Sequence, residues 1–370
     1  MKILFQTRTN LYSAPGGDLV QIESTKKYLE KLGCKIDISL EFEPNLSDYD
    51  IVHIFNLMDP QDIYLQFKNA QKQNKKIVLS TIYGLYTEYE RKARGGLFQK
   101  IANFLSPYQI GYIKILVRHY HENKFHKGVK ALAMKGYYNM MKEIVSNTTY
   151  LLPNSVSEMN RIAKEFQLKD YNYIPIPNSI DTSIFNDDVV LTKEDLAKYG
   201  KFENCILCAA RIEGRKSTLN LVRAMKGLPY QLVLVGNESK NQAKYVNQIH
   251  KEAGNNVHFL GAVSHQDLAK LYKLAKVHCL ISWMETPGLS SLEAGAMDCN
   301  IVITKKGDTE EYFEDFAFYC EPDNVKEISN AITKAYNSPL NPKLKEKIIN
   351  KYNWEETAKA TYLAYQKALT

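Results

Sequence analysis

With 370 residues the chain is too long for one ordinary hydrophobic core, and its length predicts two domains of roughly 150–200 residues each. Its 45% hydrophobic and 24% charged residues exclude an intrinsically disordered chain, and no run approaches the roughly 18 apolar residues of a membrane span. The first residues contain no secretory leader pattern, so we expect a cytoplasmic protein with six reduced, buried cysteines.

The positive charge of the chain is concentrated in one segment. The formal net charge is +7, yet the stretch from Arg91 to Lys142 contains eleven lysines and arginines against a single acid, Glu122. That stretch carries about +10 and the remainder about −3, which predicts one basic surface on a protein that is not basic overall. The basic residues are Arg91, Lys92, Arg94, Lys100, Lys114, Arg118, Lys124, Lys127, Lys130, Lys135 and Lys142.

Short apolar runs alternate with amphipathic helices along most of the chain, a pattern typical of parallel α/β architecture. The alternation stops after Tyr83, where the basic stretch begins, and resumes near residue 149. Pro175 and Pro177 restrict the chain just before 177–181, which predicts a hinge there. The predicted strands are 3–7, 35–40, 50–55, 76–81, 149–155, 204–210, 230–236, 256–261, 276–282 and 300–304.

This alternation predicts two Rossmann-like domains that face each other across a cleft, with the active site in the cleft. The first domain is expected at 1–176, with a basic insertion at about 91–142, and the second at 177–352. Residues 353–370 are expected to form a closing helix. Parallel sheets of this kind bind ligands at the carboxyl ends of their strands, so the following loops should carry the functional residues.

The most informative segment is SWMETPGLSSLEAGA, residues 282–296. A strand is expected to end at Ser282 and a helix to begin near Leu289, which would present free backbone N–H groups and the positive end of the helix dipole to an anion such as a diphosphate. Glu285 precedes the turn and would point toward a sugar, whereas Glu293 lies about one helical turn in, within reach of ribose hydroxyls. The spacing alone is equally compatible with a non-functional interpretation, in which Glu285 is merely solvated and Glu293 merely caps the helix.

A second segment, AARIEGRKSTLNLVRAM at 209–225, places two cations on a short loop between a strand and a helix. Arg211 and Lys216 flank that loop and can reach one anionic site. A diphosphate leaving group needs such cations, because negative charge accumulates on the departing oxygen in the transition state. Taken alone, the pair would be interpreted as two surface residues near a turn.

Together these segments resemble the GT4 family of retaining glycosyltransferases, which have the GT-B fold, and the resemblance covers nearly the whole chain. ETPGLSSLE matches the family motif of two glutamates separated by seven residues, and Arg211 and Lys216 match its diphosphate-binding pair. VGNES lacks the family's second glycine, and Thr286-Pro287 replaces more usual residues. Other similar segments are APGGD (14–18), PNSIDTSIF (177–185), VGNES (235–239), NVHFLGAVSHQDLAKLYKLAKV (256–277), GDTEEYFED (307–315) and NWEETAKATYLAYQ (353–366), the last resembling a helix that crosses back to the first domain.

The resemblance implies a metal-independent hexosyltransferase that retains the configuration of the donor sugar and uses no cofactor. UDP or GDP is the expected nucleotide, and the departing phosphate itself is expected to take the acceptor proton. The implied catalytic residues are Glu285, Arg211 and Lys216. The implied donor-binding residues are Gly16, Gly17, Gly236, Asn237, Leu260, Gly261, Val263, Gly288, Leu289, Ser290 and Glu293, and the acceptor-side candidates are His53, Tyr83 and Gly84.

Two other motifs are weaker. Cys205-x-x-Cys208 has no second pair to complete a zinc site, and residues three apart on a strand face opposite sides, which favours buried thiols. Asp48-x-Asp50 superficially resembles a metal-binding motif but lies in a turn before a strand, so we predict no metal there. His53, expected at the end of that strand, is interpreted either as a packed histidine or as an acceptor-side residue.

The basic stretch has two interpretations. Val129, Ala133, Tyr137, Met140 and Ile144 form a helical stripe, which is compatible with a helix packed on the first domain with a solvated basic face. The alternative is docking on anionic lipid, since each basic residue near such a surface contributes about 1 kcal/mol. We favour the second, because this half of the fold faces the acceptor and members of the family often use lipid-linked acceptors. No nucleic-acid recognition module is apparent.

The predicted function is therefore transfer of a hexose from a nucleotide diphosphate to a glycan acceptor, expected to be lipid-linked, in bacterial surface polysaccharide assembly. The protein would lie peripherally on the inner face of the cell membrane. Two alternatives remain open: a sugar-nucleotide epimerase of the same fold, and a non-catalytic scaffold that binds a nucleotide sugar. The match to the motif of two glutamates favours the transferase over the epimerase. The intact Arg211, Lys216, Glu285 and Glu293 argue against the scaffold.

Overall fold

The computed structural model describes residues 1–14, 16–122 and 125–370. Pro15 of the predicted glycine loop and Lys124 of the basic stretch lie outside the described residues, as does Asn123. Contacts between residues divide the chain into two units. The first unit comprises Met1–Thr87, Lys100–Asn178 and Trp354–Thr370, and the second comprises Glu88–Gln99 and Ser179–Asn353. Residues 88–99, which the sequence prediction assigned to the first domain, thus group with the second unit.

The first unit is built on a parallel sheet that has five strands among the described residues, in the order β2-β1-β3-β4-β5. Its strands are β1 (Lys2–Gln6), β2 (Lys35–Ser39), β3 (Ile51–Phe55), β4 (Lys76–Ser80) and β5 (Tyr150–Leu152). Its helices are α1 (Gly17–Lys31), α2 (Pro60–Lys72), α5 (Pro107–His121), α6 (Lys127–Lys135), α7 (Tyr137–Ser146), α8 (Val156–Phe166) and α17 (Trp354–Leu369). The chain passes between the units within α3 (Thr87–Lys92) and α4 (Gly96–Ala102).

The second unit contains a parallel sheet of six strands, counted over its described residues, in the order β11-β10-β9-β6-β7-β8. Its strands are β6 (Cys205–Ala209), β7 (Leu232–Val235), β8 (Val257–Gly261), β9 (Ala275–Leu280), β10 (Asn300–Ile303) and β11 (Ala317–Tyr319). Its helices are α9 (Lys193–Tyr199), α10 (Thr218–Ala224), α11 (Ala243–Glu252), α12 (His265–Leu274), α13 (Leu289–Ala296), α14 (Thr309–Phe313), α15 (Val325–Asn337) and α16 (Pro342–Lys351).

Both sheets are covered by apolar packing on their two faces, because successive side chains of a strand point in opposite directions. In β6, Leu207 belongs to one core cluster of the second unit and Ile206 and Cys208 to the other. The strands of the first unit divide their side chains between two clusters in the same way. Two parallel sheets, each buried between helices, define two Rossmann-like domains, and the predicted α/β fold class is confirmed.

The ten predicted strands are all present, with ends that differ from the predicted ones by at most a few residues. The short edge strand β11 was not predicted. Its three residues are too few to establish a period, and it pairs only through β10.

The cysteines behave as the sequence predicted. Each is buried and none forms a disulfide within the described residues. Cys205 and Cys208 lie in the clusters on opposite faces of the second sheet, and burial raises the pKa of both thiols to about 12. They are therefore neutral core residues.

The predicted single helical stripe of the basic stretch is wrong. Gly136 has a φ of +84° and separates α6 from α7, so that Ala133 is exposed although Val129 and Tyr137 are buried. A glycine at this position adopts a left-handed conformation that ends one helix and allows the next to begin in a new direction.

The basic stretch is also divided between the two units. Its first part belongs to the second unit, where Arg94 pairs with Glu90 at 2.5 Å. In the first unit, Lys127 lies 3.4 Å from Glu43, an acid distant in sequence. Part of the positive charge is thus offset by acids that a count along the sequence does not include.

Asp48 and Asp50 are exposed in a turn, as predicted, where Asp50 accepts a hydrogen bond of 2.8 Å from the backbone N–H of Lys2.

Across the described ranges, the helices are too short or too polar for any of them to cross a membrane.

Candidate functional site

The carboxyl edge of the second sheet is held together by backbone hydrogen bonds that pass from one strand-end loop to the next. These loops follow β6, β7, β8, β9 and β10, which are consecutive neighbours in the sheet. Most of the predicted site residues lie on them. The bonds are Gly236 N–H to Gly261 O at 2.8 Å, Ala210 N–H to Val235 O at 2.9 Å, Ile212 N–H to Asn237 O at 3.0 Å, Trp283 N–H to Arg215 O at 3.0 Å and Glu285 N–H to Lys306 O at 3.2 Å.

Gly236 lies where the loops after β6 and β7 approach each other closely. Its φ is +143°, and a Cβ atom added there would lie 2.1 Å from the carbonyl oxygen of Ala210. Only glycine permits this separation. The approach brings Asn237 against the loop that begins at Arg211, so the missing second glycine of VGNES does not prevent the loops from meeting.

The loop after β6 positions the two predicted cations differently. The Arg211 side chain is exposed at its start, whereas Lys216 ends a short 3-10 turn, Gly214–Lys216, and is mostly buried. Lys216 Nζ donates a hydrogen bond to Oε1 of Glu285 and forms an ion pair with it. The structure thus joins a residue predicted to bind the diphosphate with one predicted to contact the donor sugar.

Glu285 is held by its backbone as well as by its side chain. Its carbonyl oxygen accepts a hydrogen bond of 3.0 Å from the N–H of Asp308. Gly307, with a φ of +89°, packs so closely that an added Cβ would lie 2.0 Å from the same oxygen. The loop after β10, which the sequence indicated only as a Gly/Glu strip, therefore fixes the backbone position from which the Glu285 carboxylate projects.

The next residues form the predicted helix start. Gly288 has a φ of +90° and precedes α13, whose first N–H groups, at Leu289 and Ser290, have no acceptor within the helix. An added Cβ at Gly288 would lie 2.7 Å from Leu280, so this position also requires glycine. An anion placed before α13 would meet these N–H groups and the positive end of the helix dipole.

Glu293 lies about one turn into α13 beside Tyr272, a residue that the sequence analysis missed. The Tyr272 hydroxyl lies 3.0 Å from the carbonyl oxygen of Ser290 and 3.3 Å from Oε2 of Glu293. Burial raises the pKa of Glu293 to about 7, and the hydrogen bond from Tyr272 opposes that rise. Its charge therefore changes near neutral pH.

The remaining donor-side candidates of the second unit lie along the same edge. Gly261 is exposed at the end of β8 with a φ of +69°, and Asn237 is exposed beside it. Leu260 and Val263 are half-buried and pack against the core under the sheet. These residues offer an apolar edge and exposed backbone, which suits a flat ring such as a nucleobase.

Another missed residue is Tyr89, from the segment 88–99. Its ring centroid lies 6.4 Å from that of Trp283, and a Cβ added to Gly214 would lie 2.3 Å from its hydroxyl. Next to it, Glu88 forms an ion pair of 3.1 Å with Lys306. No periodic pattern in the sequence connected this segment with the second unit.

In the first unit, Gly16 and Gly17 begin α1. Arg8 organises the loop before them: its Nε donates to Asp18 at 2.6 Å, and its Nη2 donates to Asp18 at 2.9 Å and to the carbonyl of Ala14 at 2.9 Å. This buried, bidentate pair was not predicted, because an isolated arginine after a strand has no distinctive pattern.

Two acceptor-side candidates of the first unit are core residues. His53 lies in the middle of β3, not at its end, with Nδ1 2.6 Å from the Tyr365 hydroxyl and Nε2 2.9 Å from the Ser80 hydroxyl. Burial lowers the pKa of His53 to about 3, so the packed alternative describes it. Tyr83 is 2% exposed and its hydroxyl is hydrogen-bonded to that of Tyr108, and its assignment to the acceptor side stays a prediction. Gly84 is half-buried in the loop after β4.

Residues 192–354 match the family model described as "Glycosyl transferases group 1". A probable sucrose-phosphate synthase of Thermosipho melanesiensis is 22% identical over 93% of this chain and 89% of its own length. Among solved structures, a sucrose-phosphate synthase from Thermosynechococcus elongatus superposes with a TM-score of 0.74 at 16% identity, over 99% of this chain and 98% of the other. The structure of HepE from Anabaena in complex with UDP-glucose superposes with a TM-score of 0.65 at 15% identity, over 99% of this chain and 95% of the other.

The structural likeness, at such low identity, establishes the fold, which is GT-B. The match to the group 1 glycosyltransferase model covers most of the second unit, including Arg211, Lys216, Glu285 and Glu293. The edge of linked loops described above thus lies within the part of the chain that is similar to group 1 glycosyltransferases.

We expect Gly236→Ala to lower the free energy of unfolding by about 1–3 kcal/mol, because the added methyl group would collide with the Ala210 carbonyl and strain a positive φ. Gly200→Ala is the matched control, since its nearest contact would be 3.8 Å away. Urea denaturation of both variants measures the difference. Equal midpoints would show that the two loops are not in this close contact.

The Lys216–Glu285 ion pair should appear as energetic coupling. The two side chains are 21% and 10% exposed, so removing either partner leaves a poorly solvated charge. We expect Lys216→Met and Glu285→Gln each to cost about 1–3 kcal/mol of unfolding free energy, and the double variant clearly less than their sum. The same cycle at the exposed pair Lys305–Glu310 is the control, for which we expect no measurable coupling because solvent screens the two charges. Additive losses at Lys216 and Glu285 would contradict the pairing.

Proposed function

We propose that the protein is a retaining glycosyltransferase that moves a hexose from a nucleotide diphosphate donor to a glycan acceptor carried on a lipid, without a metal ion. The observation that carries this proposal is the Lys216–Glu285 pair, which lies at the same sheet edge as the start of α13, with Glu293 one turn in. A cation, a helix start and two carboxylates at one sheet edge, in the part of the chain that matches the group 1 glycosyltransferase model, support donor binding there.

The chemistry follows from those charges. Cleavage of the donor places negative charge on the diphosphate, which Lys216, Arg211 and the first N–H groups of α13 would stabilise. Glu285 would hold the hydroxyls of the sugar, and its pairing with Lys216 fixes the carboxylate before the donor arrives. The acceptor would attack from the face that the diphosphate leaves, and a departing phosphate oxygen would take its proton.

UDP is the nucleotide we propose, with glucose as the model sugar. HepE, which has the same fold, was solved with UDP-glucose. Leu260, Gly261 and Val263 would receive the base, and Glu293 would accept hydrogen bonds from the ribose hydroxyls. A glutamate whose charge changes near pH 7 makes this last contact sensitive to pH.

The lipid-linked acceptor is supported by the surface of the first unit. Between residues 101 and 134, six large apolar side chains are at least 45% exposed, and Lys100, Lys114 and Lys130 are exposed among them. Apolar side chains beside cations suit the surface of an anionic membrane, where the protein would bind peripherally. The apolar side chains are Ile101, Phe104, Val117, Tyr120, Phe125 and Met134.

A second candidate acceptor is a sugar phosphate. Similarity to sucrose-phosphate synthases extends over 93% of the chain in sequence and 99% in structure, and therefore includes the first unit. That chemistry would use the same donor site. The two candidates differ only in the acceptor and can be separated by supplying each in turn.

The first experiment measures nucleotide release from UDP-, GDP- and ADP-sugars in the presence of EDTA, with lipid extract or a hexose phosphate as the acceptor. We expect release from one donor, loss of at least about 100-fold in Lys216→Ala and Glu285→Ala, and no loss in Lys226→Ala, an exposed lysine of the same unit.

The products decide among the alternatives. A glycosylated lipid supports the proposal, and a glycosylated hexose phosphate supports the second candidate. An isomerised nucleotide sugar would identify an epimerase instead. Binding of a donor without any product, unchanged by either acceptor, would favour a non-catalytic scaffold. Activity that EDTA abolishes would contradict metal independence.

Donor binding should depend on the ionisation of Glu293. If ribose hydroxyls donate to its carboxylate, a pKa of about 7 means that the affinity for UDP-glucose falls about tenfold between about pH 8 and about pH 6. Titration calorimetry checks this with an intact UDP-sugar, whose phosphates do not titrate in that range. Glu293→Gln should bind more weakly with a flat profile, and Glu310→Gln should retain the wild-type profile. Superimposable profiles for Glu293→Gln and the wild type would refute this role.

A further inference from the structure

A cavity of about 350 Å³ lies in the first unit, and none of its lining residues belongs to the linked loops of the second sheet. It is formed where the start of α5 meets the start of α7. Its walls are the rings of Tyr108, Tyr112, Tyr137 and Tyr138, with the amides of Gln109 and Asn139 at its edge. We call this the tyrosine pocket. Its volume is at the lower end of the range for small-molecule sites, and its surface is predominantly carbon.

Each of the four tyrosine hydroxyls already has a hydrogen-bond partner within the protein. Each edge amide uses one of its two polar groups there: Gln109 accepts from the N–H of Ser106 at 2.8 Å, and Asn139 donates to the carbonyl of Lys135 at 3.0 Å. Part of the hydrogen-bonding capacity of the pocket is thus already used by the protein. The hydroxyl partners are Tyr83 for Tyr108 at 2.8 Å, Ala133 O for Tyr112 at 3.3 Å, Met58 O for Tyr137 at 3.0 Å and Glu165 O for Tyr138 at 3.0 Å.

The two most exposed large apolar side chains among the described residues flank this pocket in sequence. Phe104 is 90% exposed and lies two residues before Ser106, which lines the pocket. Met134 is 89% exposed and lies two residues before Gly136, which also lines it. Scattered exposed apolar residues are normal, but here the extreme cases adjoin an apolar cavity.

Positive charge accompanies the apolar surface. Lys142 Nζ lies 5.9 Å from the ring centroid of Tyr138, a wall of the pocket. Lys114 is exposed on α5, the helix that carries Tyr108 and Tyr112. A ligand with a hydrocarbon chain and an anionic head group matches this combination. A sugar ring matches it less well, because the lining of the pocket is predominantly carbon.

We propose that the tyrosine pocket binds the hydrocarbon chain of the anionic lipid that carries the acceptor glycan. Phe104 and Met134 line the approach of the chain, and Lys142 meets its phosphate. This inference rests on the proposed function, which supplies the lipid-linked acceptor, and adds to it the site that recognises the carrier.

Dodecyl phosphate, below its micellar concentration, is the probe, and its binding to the full chain is followed by titration calorimetry. We expect saturable binding of one equivalent and none of inorganic phosphate or maltotriose. Tyr112→Ala, which removes a wall, and Asn139→Trp, which narrows the pocket, should each weaken binding at least tenfold. Tyr112→Phe keeps the ring and should bind as the wild type does. Tyr120→Ala, 73% exposed on the same helix, is the matched control.

Three results would overturn the inference: no saturable binding of dodecyl phosphate, binding unchanged by both pocket variants, or binding of maltotriose that the variants abolish. Capture by plain phosphatidylglycerol vesicles that depends on the pocket would assign it to bulk lipid and overturn the assignment to the carrier. UDP-glucose binding, measured on the same variants, separates this inference from the proposed function. Intact donor binding without dodecyl phosphate binding would refute the pocket and leave the transferase standing.

Discussion

The site depends on hydrogen bonds between backbones, which tie the loops after five neighbouring strands into one edge. Such bonds do not depend on which side chains the loops carry, provided that the chains can approach closely enough. That requirement is met by glycine at Gly236 and Gly307, where an added Cβ would lie about 2 Å from a carbonyl oxygen. The rigidity of the edge follows from these approaches, and rigid donors are what a developing anionic charge requires.

The charged side chains on this edge differ in exposure, in pairing and in pKa. Arg211 is exposed, Lys216 is engaged by Glu285, and Glu293 lies in an environment that raises its pKa to about 7. A cation that already balances a carboxylate need not be moved when a diphosphate binds, since it can contact both. In the proposed reaction, the ion pair would limit the reorganisation that charge separation otherwise demands.

Local patterns in the sequence predicted most of the fold and part of the site. Each long strand has a continuous apolar run, and the start of α13 is marked by Gly288, so both were found. Contacts between residues distant in sequence were not predicted. Lys216 and Glu285 are 69 residues apart, and Tyr272 precedes Glu293 by 21 residues. Gly136 was missed as a helix break because the apolar spacing continues across it. His53 was placed at the end of its strand, whereas pairing of β3 with β1 and β4 puts it at the centre.

The grouping of residues 88–99 with the second unit has a consequence for how that unit could be isolated. In the described chain, the polypeptide passes between the units four times, at 87–88, 99–100, 178–179 and 353–354. Excising 179–353 would leave behind Tyr89, which packs against Gly214, and Glu88, which pairs with Lys306. A continuous stretch cut at these bounds would therefore lack contacts that the second unit has in the full chain, and a fusion that restores the short segment would supply them.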